Sequence, residues 1–183
     1  MEFKTQELLQ ELTERVQSQI QFAKSLENKS DEELNWRASK NSWSVLECLE
    51  HLNRYGEFYI DEIKKRMEKS KAPKSDVFVS GRLGNKFAVD MLPKEGMKTM
   101  KTFKSKNPIH SKLDREKVTV TFLKQLHRFL RLLEMAEEKN LTKIKTSTTL
   151  PLLKLRLGDT FRFVINHSER HVQQAKRVLE SRS

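Results

Sequence analysis

The chain has 183 residues and 21.6 kDa, 36% apolar and 33% charged, with a mean hydropathy of -0.72; this favours one domain and is too apolar for a disordered chain. Only 5 Gly and 4 Pro occur, too few for the turns of a β-sandwich or barrel, and Leu, Glu, Lys, Arg and Gln fill the periodic segments, so the expected fold class is all-α. The formal net charge of +11 is not spread evenly: Lys64 to Lys117 holds 16 Lys or Arg against 6 Asp or Glu, a net of +10, which leaves a near-neutral remainder and disfavours a uniformly basic nucleic-acid binder.

The first period runs from about Thr5 to Leu26, where Leu8, Leu9, Leu12, Val16, Ile20 and Ala23 recur on one face of a predicted helix. Ser30 and Glu33 have capping-box spacing and open a short turn through Leu34 and Trp36. Ser44 and Glu47 repeat that spacing and open the second helix, about Ser44 to Glu68, with Val45, Leu49, Leu52, Tyr59, Ile63 and Met67 as its buried stripe. From Lys69 to about Leu113 the pattern decays around Pro73, Gly81, Gly84, Pro93, Gly96 and Pro108, which predicts a long irregular connection.

Asp114 is the expected cap of a third helix, about Arg115 to Lys139, with Val118, Phe122, Leu126, Phe129 and Leu133 inward and Asn140 as terminator. A second irregular stretch, Leu141 to Gly158, precedes a last helix capped by Asp159 and running to about Ser181. Four long amphipathic helices predict a four-helix bundle in a single domain over 1–183. The connection over 69–113 can span a full bundle length, so the second and third helices need not be antiparallel neighbours.

No run of about 18 apolar residues exists, and the N-terminus MEFKTQELLQELTERV is amphipathic and acid-containing, so neither a membrane span nor a secretory signal is expected and the predicted location is the cytoplasm. The single cysteine, Cys48, excludes an internal disulfide and a four-thiolate zinc site. Any metal therefore relies on histidines and carboxylates.

Two of the five histidines, His167 and His171, lie four apart on the last helix, which puts both imidazoles on one face where they can bind a single ion. About one chain in ten of this composition shows such a spacing by accident, and a hydrogen-bonded helical pair is the alternative. Phe163 and Gln174 flank the pair on the stripe the helix buries. Two cationic imidazoles there would repel each other and lose hydration, whereas a shared divalent metal binds both as neutral ligands. His51, beside the Leu49 and Leu52 stripe, is the best third ligand, with an isolated core histidine as the alternative. Three nitrogens leave a tetrahedral position open, as in catalytic sites.

The segment Asn41-Ser42-Trp43-Ser44-Val45-Leu46-Glu47 through Glu50-His51-Leu52, with Asn166-His167-Ser168-Glu169-Arg170-His171-Val172-Gln173-Gln174 more than a hundred residues later, resembles the DinB-like superfamily and its YfiT-type metal-dependent hydrolases. The resemblance implies an up-down-down-up helix order and a metal site at His51, His167 and His171. It further implies a divalent ion, a small-molecule substrate and a homodimer, and three neutral imidazoles suit zinc or nickel. Characterised relatives include S-transferases that use bacillithiol or mycothiol and a mycothiol-dependent isomerase. The implied activity is thus a thiol-dependent S-transfer or a hydrolysis on a small electrophile. A low-molecular-weight thiol beside the cation would be held as a thiolate, and water in its place would support hydrolysis. The alternative is a non-catalytic metal-binding scaffold whose basic connection contacts an anionic partner.

Two further residues are candidates for orienting ligand imidazoles. Glu47 lies one turn before His51, although its capping position already accounts for it, and Gln174 lies near His171, although an ordinary polar helix position accounts for that. Cys48 reads as a small buried hydrophobe, Trp36 and Trp43 as plugs at the bundle end, and His110 and His127 as surface residues. The basic connection reads as solvated surface or as a lid for small anions. Its few aromatics, Phe78, Phe87 and Phe103, argue against a single-strand nucleic-acid stacking platform.

Overall fold

Four long helices carry the computed structural model, which describes residues 1–94 and 102–182: α1 (Thr5–Ser25), α3 (Val45–Lys69), α5 (Arg115–Ala136) and α6 (Leu157–Glu180). Between them lie the short helices α2 (Asp31–Asn35) and α4 (Arg82–Asp90). The starts follow the sequence chemistry. Both capping boxes form in full, with Ser30 and Ser44 accepting from the N–H groups of Glu33 and Glu47 while each glutamate returns a bond to the cap residue. Asp114 accepts from the N–H of Lys117 at 2.7 Å.

Every apolar position expected on the stripes of α1, α3 and α5 is buried, in one core to which α6 adds Phe161, Val164, Ile165 and Val172. The helices pack α1 and α3 each against both α5 and α6. No helix among the described residues is long and apolar enough to cross a membrane.

The connection over 69–113 is less irregular than its sequence suggests. It contains α4, a strand β2 (Val77–Val79) and a 3-10 turn at Lys104–Lys106, while Gly96 and the rest of 95–101 lie outside the described residues. β2 pairs antiparallel with a strand β1 (Glu2–Lys4) at the N-terminus, setting Phe3 opposite Phe78. The stretch before α6 likewise folds into a hairpin, β3 (Lys145–Ser147) with β4 (Lys154–Arg156).

Two helix boundaries also differ from expectation. α5 ends at Ala136, and the Asn140 side chain instead accepts from the N–H groups of Thr142 and Lys143 at 3.2 and 2.9 Å, shaping the turn towards the hairpin. Asp159 does not cap α6. The helix starts straight out of β4, and Asp159, wholly buried within the first turn, accepts from the Ser80 hydroxyl, from the Gly81 N–H at 2.8 Å and from Arg162 at 3.5 Å. Its charge therefore ties the start of α4 to α6.

Candidate metal centre

His51 sits in the second turn of α3, and His167 and His171 sit one turn apart on α6. Packing of α3 on α6 closes the 116-residue separation between His51 and His167, whose Nε2 atoms lie 3.2 Å apart. Ring centroids are 5.1 Å apart for His51 and His167, 4.5 Å for His51 and His171, and 4.8 Å for His167 and His171. One nitrogen from each ring lies within 4.8 Å of the others, so the three histidines could hold a metal ion. His51 and His167 are buried and His171 is half-buried.

The environment keeps all three imidazoles neutral. Burial pulls His51 down to about 4; a hydrogen bond to the Lys106 carbonyl partly opposes this, and the charges of Arg54 and Lys106 reinforce it. Burial and His51 pull His171 down to about 3, and burial with both neighbouring histidines holds His167 well below the ordinary 6.5. In the unfolded chain these groups take up protons below about 6.5, which the folded site refuses. The stability of the metal-free protein is therefore full above pH 6.5 and is lost as pH falls, by about 2 kcal/mol at pH 5 from His51 alone. Urea midpoints measured from pH 7.5 to 5 would show the fall, and a flat profile would contradict it.

Neutral rings must also point their lone pairs the right way. His51 donates its Nδ1–H to the Lys106 carbonyl at 2.7 Å, and His171 donates its Nδ1–H to the Gln174 side-chain oxygen at 3.0 Å, so Nε2 carries the lone pair of each, that of His51 facing the His167 Nε2. The donor set thus fits a divalent ion: three neutral, converging nitrogens, two of them with fixed tautomers. Gln174→Leu removes one of these acceptors without touching a ligand. Its expected effect is a loss of metal affinity of about 10- to 100-fold, read by competition with a chromophoric chelator.

The remaining candidates fall outside the cluster. Glu47 turns its carboxylate to Ser44, to Arg37 through two bonds of 2.8 and 2.6 Å, and to the N–H of His110 at 2.6 Å. Burial pushes this carboxyl up, but Arg37 and the two backbone donors outweigh it and hold it below the usual range. Cys48 is fully buried, and burial together with the Glu47 charge pushes its thiol far up, so it behaves as an inert core residue. Among the described residues no carboxylate or thiol joins the three imidazoles. His110 and His127 are exposed, as expected.

The walls of the site were less legible. Trp43, read as a plug, lies 4.7 Å from the His51 ring and 5.5 Å from that of His171. Tyr55 lies 4.9 Å from both His51 and His167, and Phe163 stacks on His167 at 6.0 Å. Tyr55 and Phe163 are each four residues from a histidine on the same helix, a spacing that points to them once the ligands are named. Lys106 had no such signal, because it contributes a backbone carbonyl from a turn 55 residues away.

A mostly helical protein in which two helices bring three neutral imidazoles into one aromatic-walled cluster belongs to the class of helical proteins with a metal-competent three-histidine site. Comparison with protein families gives the group within that class. The model described as the DinB superfamily matches residues 5–175, and the chain belongs to that superfamily. No curated protein and no solved structure matches it.

Proposed function

We propose that the protein is a divalent-metal-dependent enzyme, a thiol-dependent S-transferase or a hydrolase acting on a small electrophile. In this reading the single domain is a DinB-type four-helix bundle in up-down-down-up order. His51, His167 and His171 would hold zinc or nickel, ions that suit three imidazoles. When bound, the ion would acidify a thiol or water and so supply a nucleophile at neutral pH. The chain's own part is to hold three neutral nitrogens in place, with Trp43, Tyr55 and Phe163 excluding bulk water around them. The observation that carries this reading is that no protein carboxylate or thiol among the described residues joins the three imidazoles, which leaves room for an exchangeable ligand.

Elemental analysis of protein purified without a nickel column should find about one divalent ion per chain, or uptake of one on titration. With cobalt bound, a low-molecular-weight thiol should add a sulfur charge-transfer band. No metal uptake would overturn the reading. Metal uptake with no response to any thiol, and no hydrolysis of activated esters, would favour the non-catalytic scaffold instead. The basic connection is assigned to small anions rather than to nucleic acid, so any retention of DNA should vanish at physiological salt.

A further inference from the structure

We propose that Glu47 is a positioning residue for His51, acting through residues 106–110 rather than by contact. The inference rests on the metal-site reading above. His51 has its tautomer and ring plane set by the Lys106 carbonyl, which ends the 3-10 turn at Lys104–Lys106 and leads into a strap along the start of α3. The strap is held at three further points. The Lys106 ammonium donates to the Arg54 carbonyl, Arg54 donates to the Asn107 carbonyl at 3.1 Å, and the N–H of His110 donates to Glu47 at 2.6 Å.

The Glu47 anchor differs in kind from the other two. Its carboxylate is buried, and Arg37 fixes both of its oxygens. It grips the strap where His110 adopts a left-handed backbone with φ 58°, a state that a non-glycine residue keeps only when its surroundings hold it there. The capping box thus has a second task. It starts α3 and, from the same carboxylate, clamps the far end of the segment whose carbonyl aims His51.

Glu47→Gln tests this sharply. Both Glu47 oxygens now accept from two donors each, and an amide can serve only one side, so either the cap or the strap loses its acceptor. Arg37→Met leaves the carboxylate in place but unbraced. Two readouts apply: zinc affinity by chelator competition, and hydrogen exchange of the His51 Nδ1–H followed by NMR in the metal-free protein.

Both variants are expected to bind zinc at least about 10-fold more weakly and to exchange that proton at least about 10-fold faster. Leu12→Ala, a core change outside the strap and site, is expected to lower stability while leaving both readouts at parental values. Arg54→Met, which loosens the strap from a half-buried position outside the capping box, gives the same answer should a Glu47 or Arg37 variant fail to fold. Parental affinity and exchange in the strap variants, or an equal shift in Leu12→Ala, would overturn the proposal. If the unsubstituted protein takes up no zinc, the metal reading fails on its own, and the exchange of the His51 proton still decides whether Glu47 positions that ring.

Discussion

His171→Ala should abolish tight metal binding, with a loss exceeding about 100-fold, because removing a ligand costs more than removing the group that orients one. The fold should survive. His171 is half-buried and neutral, and its removal strands no charge: its Nδ1 partner Gln174 is itself only partly buried. Its ring packs edge-on against those of His51 and His167 at 4.5 and 4.8 Å, ordinary aromatic separations, so the metal-free variant should lose some packing and keep a urea midpoint at or somewhat below the parent's. His110→Ala and His127→Ala, both at exposed positions, should bind metal as the parent does. Affinity lost in either of these, or kept in His171→Ala, would reject the ligand assignment.

Phe78→Ala should be the most damaging change away from the site, at about 3 to 5 kcal/mol. The ring is fully buried, stacks on Phe3 at 5.8 Å and fills the space over Gly158, where even a methyl group would lie 2.6 Å from it. It thereby joins β1, β2 and the first turn of α6. The void left by alanine has no neighbour free to collapse into it, since β1 is held at both ends by backbone bonds, from Thr5 N–H to Asp76 and from Ser80 N–H to Met1. Thermal unfolding followed by circular dichroism would measure the loss, and a change below about 1 kcal/mol would refute this packing account.

The long helices were legible because their stripes repeat over five or more turns, and the three histidines because two share a helix face. What the sequence concealed follows a common physical pattern. Gly84 reads as a helix breaker, yet it lies inside α4; a side chain there would collide with the buried Asp159 carboxylate, so the glycine marks a close approach between helices rather than a turn. Asp159 reads as a cap because a carboxylate near a helix start usually is one, and only the tertiary partners Ser80 and Gly81 reveal its other use. The strands of β3 and β4 have three residues each, too few to show a period. The Lys106 carbonyl could not be found at all, because every residue type offers the same backbone acceptor.

The placement of the histidines on α3 and α6 has a consequence for biosynthesis. A ribosome releases His51 more than a hundred residues before His167 and His171, and during that interval α1, α3 and α5 can pair while the face awaiting α6 stays uncovered. No metal-competent cluster exists on the nascent chain until residue 171 has emerged and the loop between the two helices has closed. Any ion held by all three histidines would therefore load only after α6 has docked, and any product truncated before α6 would lack both the site and the cover for its core.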